Sequence, residues 1–307
     1  MDKVINQVLE KYDFGEVIQI ESMTQGYANE NIKVVTNQGP ILYRICRQQP
    51  LHLMQYEVRL MKALENASIK TAFPLADNRG NFIHKVDEEY VMLYEFKVGE
   101  EPALTEKSAF QMGIEIGKLS RIVLSNELEK KNAVHIDNCH ALINEFESSK
   151  NPMPEVFDYF KDQTNYLNNK LNTSLPKGIV HGDAFPNNTL FNHDELIAII
   201  DFEEACSDQL MFDVGMTING FCFVDNRLKE ELLRSFLKGY NSQRQLTDEE
   251  WAALPIYMQW GSHGMLSWHL RNELIHVPNV VQYNRVIELM HRTQWMRENE
   301  SEIMKLI

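Results

Sequence analysis

Residues 178–201, which read GIVHGDAFPNNTLFNHDELIAIID, contain three polar side chains whose types and spacing suit phosphoryl-transfer chemistry. Asp183 follows a short apolar run, Asn188 precedes a second apolar run, and Asp201 ends a third one. Apolar runs of this length with a polar turn between them predict short strands. The segment therefore predicts a small β-hairpin with a polar residue at each outer end and with Asp183 on the loop before it.

The predicted hairpin brings an amide and a carboxylate close to one point. If Asn192–Glu195 forms a four-residue turn, Asn188 lies opposite Ile199, two residues from Asp201. Paired strands lie about 4.8 Å apart and rise about 3.3 Å per residue, so both side chains can reach one ion. Oxygen ligands of this kind suit a hard cation such as magnesium. Asp183, on the loop that leads to the same corner, suits a base that orients a hydroxyl group.

For each residue taken alone there is an alternative, because Asp and Asn also favour turns for their own hydrogen bonds. The combined pattern, H-x-D-x-x-x-x-N followed by an apolar strand and I-D-F, favours a site. We therefore predict that Asp183 is catalytic and that Asn188 and Asp201 bind the metal. His181 is expected to pack beneath the loop, and Asp213 is expected to brace it.

The same residues carry a family resemblance. His181-Gly182-Asp183, Asn188 and Ile200-Asp201-Phe202 resemble the catalytic loop and metal-binding strand of the aminoglycoside phosphotransferase and choline kinase superfamily, whose members are relatives of protein kinases. Residues 175–223 as a whole are similar to the same region of the second type of homoserine kinase. The resemblance implies an α+β, bilobal, protein-kinase-like fold, with an antiparallel sheet and a helix in the N-lobe and a mostly helical C-lobe. It also implies ATP and magnesium as cofactors and a small-molecule hydroxyl group as phosphate acceptor.

The order of the predicted elements fits such a fold. Apolar periodicity predicts a helix at 2–12, strands at 17–22, 32–36 and 41–46, a helix at 55–65 and a strand at 90–96. Later segments predict helices at 105–124, 258–272 and 280–305, and the capping box Thr247-x-x-Glu250 opens another. We expect a nucleotide-binding lobe at residues 1–97, with a hinge at about 94–99, and a helical lobe with the catalytic loop and acceptor site at 98–307.

The resemblance also points to a phosphate-binding pair in the first lobe. In kinases a cation on the third strand holds the phosphates and is itself held by a carboxylate on the next helix. Arg44 and Glu57 stand at these places, and Arg can contact phosphate through two N–H groups. Arg47 is the rival cation, and ordinary exposed charges are the alternative for the pair.

Two further segments are assigned to the nucleotide by resemblance. Residues 26–31 resemble the G-x-x-N-x-N turn of homoserine kinases, where the backbone at Gly26 and the side chain of Asn29 could touch phosphates; a plain hairpin turn is the alternative. Residues 94–99 resemble the hinge between the lobes. The backbone groups expected to contact the adenine edge there are those of Glu95, Phe96 and Lys97.

A homoserine-like acceptor is favoured, and homoserine carries both an ammonium and a carboxylate group. Its pocket should therefore offer an acid and a cation near Asp183. The candidates for the amine are Glu203, Glu204 and Asp208, and the candidates for the carboxylate are His263, His269 and Arg271. The homoserine kinase pattern has aromatic residues where Glu203 and Glu204 stand, so choline-, aminoglycoside- and sugar-type acceptors stay open. A catalytically silent nucleotide-binding scaffold is the alternative from another functional class.

Composition and charge argue against several other classes. The chain has 307 residues and a net charge of −14, which disfavours general binding to nucleic acid or to anionic membranes. Its four cysteines have no metal-ligand spacing, and no apolar run reaches the length of a membrane span. Charges are scattered through the first residues, unlike in a signal peptide. We therefore expect reduced thiols and a cytoplasmic protein.

Overall fold

The computed structural model of the protein describes residues 2–23, 29–47, 49–148, 153–275 and 280–307. It is an α+β structure that divides into two compact units. The first unit comprises Met1–Glu100, Leu190–Asn192 and Ile197–Ile200. The second comprises Glu101–Thr189, His193–Leu196 and Asp201–Ile307.

The first unit is built on a five-stranded antiparallel sheet. Its strands are β1 (Val17–Met23), β2 (Glu30–Thr36), β3 (Gly39–Cys46), β4 (Ile83–Val86) and β5 (Glu89–Glu95). They lie in the order β1-β2-β3-β5-β4, and every neighbouring pair is antiparallel. Two helices accompany the sheet, α1 (Asp2–Leu9) and α2 (Leu51–Asn66).

Each face of this sheet has its own apolar core, because successive side chains of a strand point to opposite faces. On one face, Tyr43 packs in a cluster with Val8 of α1. On the other face, Met92 packs in a cluster with Met54 of α2. Arg44, the neighbour of Tyr43 on β3, therefore points to the face that α2 covers.

The second unit is mostly helical. Its helices are α3 (Glu106–Leu119), α4 (Ile136–Ser148), α5 (Pro154–Lys170), α6 (Leu210–Phe221), α7 (Glu230–Gln243), α8 (Asp248–His269), α9 (Val280–Glu298) and α10 (Glu300–Leu306). Among the helices of the described residues, none combines the length and the apolar character needed to cross a membrane.

Three short pairs of β-strands complete the described part of the chain. Strand β6 (Lys177–Val180) pairs with β9 (Cys206–Gln209), and β10 (Phe223–Val224) pairs with β11 (Arg227–Leu228). The third pair is β7 (Thr189–Asn192) with β8 (Glu195–Ile199). This last pair is the hairpin that the sequence predicted, and its turn falls at the expected Asn192–Glu195.

Helix α8 differs from the sequence prediction. The capping box at its start is present, with the N–H of Glu250 donating to the hydroxyl of Thr247. The helix then continues without a break through Pro255, where the sequence predicted a separate helix from Met258. Proline removes one backbone donor and disfavours a helix interior. Here α8 packs against α5, α6 and α9, and tertiary packing overrides the local preference.

Two pairs of helices in the second unit come so close that only glycine fits between them. A Cβ atom at Gly113 of α3 would lie 2.1 Å from the carbonyl oxygen of Phe236 on α7. One at Gly239 of α7 would lie 2.1 Å from the carbonyl oxygen of Phe110 on α3. Gly215 of α6 is equally close to the backbone of α8. Because the obstructing atoms are backbone atoms, a larger residue would have to push the helices apart.

The substitution Gly239→Ala tests this packing. We expect it to lower the free energy of unfolding by about 1–3 kcal/mol, because overpacking between backbones outweighs the gain in helix propensity. Lys238→Ala, at the exposed neighbouring position, is the matched control and should change it little. Urea unfolding followed by circular dichroism measures both. A Gly239→Ala protein as stable as the control would contradict the proposed close packing.

Candidate active site

The candidate site is built around the loop of residues 181–188, which follows β6. Gly182 in this loop has a φ of 82°, in the left-handed region that favours glycine. A Cβ atom there would also lie 3.0 Å from the backbone carbonyl oxygen of Glu204. Glycine thus lets the loop turn tightly against the segment that follows Asp201.

A buried carboxylate holds the start of this loop in place. Asp213 of α6, only 2% exposed, accepts hydrogen bonds from the backbone N–H groups of His181 at 2.6 Å and Gly182 at 2.9 Å. Burial raises the pKa of Asp213 to about 7, against the opposing effect of these two hydrogen bonds. The His181 ring packs on Phe202, with ring centroids 4.4 Å apart. Both residues therefore position the loop, as the sequence suggested.

Asn188 and Asp183 form a second tie within the loop. The Nδ2 atom of Asn188 donates to the backbone carbonyl oxygen of Asp183 at 2.9 Å and to its Oδ2 at 2.7 Å. The N–H of Asp183 donates in turn to Nδ1 of His181 at 3.2 Å. Because the Asn188 amide is planar, these bonds turn its Oδ1 away from Asp183, and Oδ1 is the atom that a cation would use.

The carboxylate of Asp201 lies close enough to act on Asp183. Burial, reinforced by the negative charge of Asp201, raises the pKa of Asp183 to about 7. Asp201 itself is exposed and has a left-handed backbone, φ 64° and ψ 62°, which Asp tolerates better than most residues. A bound cation would relieve the repulsion between the two carboxylates. The structure therefore ties Asn188 to Asp183 and places Asp183 within the electrostatic influence of Asp201.

The donor atoms at this site suit only a metal ion that prefers oxygen ligands. Among the described residues, no group of three or more His, Cys, Asp or Glu side chains is arranged to hold a metal. An amide oxygen from Asn188 and an exposed carboxylate from Asp201 suit magnesium, which keeps several waters and phosphate oxygens among its ligands.

In the first unit, Arg44 and Glu57 belong to one buried polar cluster. Nη1 of Arg44 lies 3.7 Å from Oε1 of Glu57, which is 2% exposed, and Nε of Arg44 donates to Oδ1 of Asn31 at 3.3 Å. The Tyr94 hydroxyl donates to the same Glu57 oxygen at 2.7 Å, and the Arg44 guanidinium lies 4.7 Å from the Tyr94 ring centroid. Burial, with the Glu57 charge beside it, raises the pKa of Tyr94 well above its ordinary value.

Sequence reasoning missed two members of this cluster. Asn31 is the direct register partner of Arg44 across β2 and β3, and the last Asn of the G-x-x-N-x-N pattern was the signal that could have found it. Tyr94 was assigned only to the hinge by its place in the chain order. The rival cation Arg47 has different surroundings: 53% of its side chain is exposed, and it pairs with the surface acids Glu30 and Glu89.

The other predicted nucleotide residues give a mixed result. Gly26 lies outside the described residues, and Asn29 lies half-buried just before β2. The Glu95 N–H donates to the carbonyl oxygen of Phe73 at 2.9 Å, and its carboxylate pairs with Lys97 at 3.0 Å. The N–H of Glu95 is thus engaged within the first unit, and its carbonyl group and the backbone of Phe96 and Lys97 remain as the predicted adenine contacts.

Two of the predicted acceptor residues are interior residues of the second unit. Asp208 is held by Asn132 Nδ2 at 2.8 Å, and burial raises its pKa. His263 is 0% exposed, pairs with the Thr164 hydroxyl at 2.8 Å, and burial lowers its pKa to about 3. A neutral, enclosed His263 offers no cation to a carboxylate, and Asp208 offers almost no exposed surface.

Two more of the six predicted acceptor residues, Glu203 and Glu204, are more accessible. Glu204 is exposed, and Glu203 is half-buried, with its carbonyl oxygen accepting a hydrogen bond from Lys130 Nζ. They lie directly after Asp201 and Phe202, in the segment against which Gly182 turns.

A cleft that the sequence did not reveal lies beside the 181–188 loop. It has a volume of about 500 Å³. Its lining includes the loop residues Phe185, Pro186 and Asn187 and the charged residues Glu101, Asp225, Arg285, Glu288 and Arg292. A larger cleft of about 1000 Å³ lies along α1 and β1 and contains none of the candidate site residues.

Comparison with known proteins identifies the family of the chain. The sequence model of the phosphotransferase enzyme family matches residues 19–254. The homoserine kinase of Rhizobium rhizogenes is 27% identical over 254 residues, which cover 80% of this chain and 78% of that protein. The homoserine kinase of Rhodopseudomonas palustris is 26% identical over 259 residues, which cover 81% of this chain and 77% of that protein.

Solved structures show the same architecture. A microcompartment-associated aminopropanol kinase has a TM-score of 0.76 and 17% identity, covering 100% of this chain and 99% of that one. The amicoumacin kinase hAmiN, in complex with AMP-PNP, Ca²⁺ and Ami, has a TM-score of 0.73 and 13% identity, covering 95% of this chain and 92% of that one. These similarities confirm the expected protein-kinase-like α+β fold.

The family match spans most of the chain and includes both the Arg44–Glu57 pair and the 181–188 loop with Asp201. The chain therefore belongs to the phosphotransferase enzyme family of small-molecule kinases.

Proposed function

We propose that the protein is an ATP- and magnesium-dependent phosphotransferase that moves the γ-phosphate of ATP to the hydroxyl group of a small, homoserine-like molecule. One observation carries the proposal. Asp183 is hydrogen-bonded to Asn188 on a loop that Asp213 braces, and Asp201 lies close enough to raise the pKa of Asp183. The names of the relatives as homoserine kinases support the acceptor, and the AMP-PNP in the amicoumacin kinase complex supports the nucleotide.

In this proposal Asp183 orients the acceptor hydroxyl and receives its proton. As the new bond from the hydroxyl oxygen to the γ-phosphorus forms, the bond from that phosphorus to ADP breaks. Oδ1 of Asn188 and the carboxylate of Asp201 hold the metal. Magnesium, when bound, would neutralise charge on the ATP phosphates.

We assign nucleotide binding to a lobe at residues 1–97, whose hinge lies at about 94–99. Arg44 would contact the phosphates, and Glu57 would fix its orientation. Because Glu57 also accepts from Tyr94, the carboxylate is held from two sides. The proposed nucleotide contacts also include the backbone of Gly26 and the side chain of Asn29. The carbonyl group of Glu95 and the backbone of Phe96 and Lys97 complete them.

The substitution Asp183→Asn tests the catalytic assignment. It keeps the side-chain shape but cannot accept a proton, so homoserine-dependent ATP consumption should fall by about 10²–10⁴-fold. Magnesium-ATP affinity, measured by titration calorimetry, should remain within a few-fold. Asp194→Asn, an exposed carboxylate in the turn between β7 and β8, is the control and should keep normal turnover. Normal turnover by Asp183→Asn would refute the role of Asp183.

The substitution Asp201→Asn tests the metal assignment. Loss of a carboxylate ligand should abolish most of the gain in ATP affinity that magnesium brings, with little change in affinity for ATP in EDTA. Calorimetry with and without magnesium measures this difference, and Asp194→Asn again serves as the control. Metal-dependent ATP binding of wild-type strength in Asp201→Asn would count against the assignment.

Arg44→Met and Arg47→Met distinguish the two candidate cations of the first unit. Loss of a buried, charge-assisted phosphate contact should raise KM for ATP by about 10-fold or more in Arg44→Met, with KM for the acceptor unchanged. Arg47 pairs only with surface acids among the described residues, so Arg47→Met should behave like the wild type. The reverse ranking of the two variants would contradict the assignment of Arg44.

A further inference from the structure

The cleft beside the 181–188 loop contains charges of both signs. Its wall on α9 carries Arg285, Glu288 and Arg292, and its opposite rim carries Asp225 from the turn between β10 and β11. Pro186 of the loop also lines it, three residues from Asp183. The cleft thus shares one wall with the loop that carries the proposed catalytic base.

Arg292 is a structural residue of this cleft. Its Nε donates to Oδ1 of Asn226 at 2.6 Å, its Nη1 to the carbonyl oxygen of Asn219 at 2.8 Å, and its Nη2 to Glu288 at 2.8 Å. Its guanidinium also lies 4.7 Å from the Phe223 ring centroid. With all three nitrogens engaged, Arg292 joins α9 to α6 and to the turn between β10 and β11.

The turn between β10 and β11 therefore has a fixed position. Asp225 and Asn226 have φ values of 50° and 57°, the conformation of a two-residue type I′ turn, which Asp and Asn tolerate. Nδ2 of Asn226 donates to the carbonyl oxygen of Glu288 at 3.2 Å, in addition to the bond from Arg292. Asp225, the exposed neighbour, is thereby held at the rim of the cleft as an available negative charge.

The α9 wall keeps one net positive charge. Glu288 pairs with Arg285 at 2.9 Å and with Arg292 at 2.8 Å, so one carboxylate serves two guanidinium groups. The Arg285 side chain is 34% exposed, whereas that of Arg292 is 6% exposed. Among the described residues Arg285 pairs with Glu288 alone, and its planar fork suits the two oxygens of a carboxylate.

Asn219 provides a third, independent feature of the cleft. It is 2% exposed, lines the cleft, and its Nδ2 donates to the carbonyl oxygens of Gly215 and Met258 at 2.8 and 2.7 Å. Its Oδ1 is buried and has no hydrogen-bond partner within the described part of the chain. A buried acceptor without a donor costs free energy, so this side chain is held in place by its two Nδ2 hydrogen bonds rather than by Oδ1.

We infer that this cleft binds the acceptor as a zwitterion, with its carboxylate on Arg285 and its ammonium group on Asp225. The acceptor class is then an amino acid that carries a side-chain hydroxyl group, and Arg285 and Asp225 determine its specificity. The inference rests on the proposed function, because it places the acceptor beside Asp183. It replaces His263 and Asp208, which are interior residues, as the groups that recognise the two charges.

Three acceptors with the same hydroxyl test the inference on the unmodified protein: homoserine, 3-aminopropan-1-ol, which lacks the carboxylate, and 4-hydroxybutanoate, which lacks the ammonium group. We expect kcat/KM for homoserine to exceed that for each analogue by about 100-fold or more, because a missing charge leaves a site group unpaired.

Arg285→Gln should lower kcat/KM for homoserine by about 10- to 100-fold and leave that for 3-aminopropan-1-ol unchanged. Asp225→Asn should lower kcat/KM for homoserine and leave kcat/KM for 4-hydroxybutanoate unchanged. Arg285→Lys should recover part of the loss. The control is Arg234→Gln on α7, where Arg234 forms a similar pair with Glu230 at 2.8 Å but does not line the cleft. It should match the wild type.

The outcomes separate the inference from the function on which it rests. An Arg285→Gln protein that matches Arg234→Gln, or a wild-type protein that uses either analogue as well as homoserine, would overturn the zwitterion assignment and leave the phosphotransferase proposal standing. Consumption of ATP with none of these acceptors, nor with choline or a sugar, would overturn both.

Discussion

The geometry of the candidate site depends on one buried carboxylate. Asp213 accepts two backbone hydrogen bonds from His181 and Gly182, and it does so from α6, a helix whose residues are all buried. Backbone N–H groups left without a partner in such a place would each cost about 1–3 kcal/mol. The loop is therefore fixed at its first two residues, and the tie between Asn188 and Asp183 fixes it further along.

At this loop the negative charges of Asp183 and Asp201 repel each other, and this repulsion indicates a place for a cation. Asp183 is buried and lies within the influence of Asp201 and Glu204, so its pKa is raised to about 7. Proteins tolerate such acid clusters where a metal or a substrate compensates the charge. In the first unit, by contrast, charges of opposite sign are paired, because the buried carboxylate of Glu57 balances the positive charge of Arg44. Each unit thus contains a polar cluster around charged side chains.

Local sequence patterns predicted most of the fold that surrounds the site. Four of the five strands of the first unit, the hairpin of β7 and β8, and the capping box at Thr247 were readable, because alternation, turn residues and caps are local signals. The short strand β4 (Ile83–Val86) was not located. The continuous helix α8 was not readable, because packing decides whether a helix survives Pro255.

The limits of prediction in the site have the same physical origin. Asp183, Asn188 and Asp201 lie within one short segment, so their spacing was informative. Arg285 and Asp225 belong to no motif. They line the same cleft only because α9 packs beside the β10–β11 turn. The burial of Asp208 and His263, which were chosen for charge and for nearness in the sequence, likewise depends on packing across the whole unit.

The claim on which the account rests is that Asn188 and Asp201 supply oxygen ligands to one metal ion beside Asp183. Its most direct measurement is the anomalous-scattering signal of manganese in crystals grown with Mn²⁺ and AMP-PNP. We predict one peak within coordination distance, roughly 2 Å, of both Oδ1 of Asn188 and a carboxylate oxygen of Asp201. A nucleotide-bound structure whose manganese peaks contact neither side chain would contradict the account.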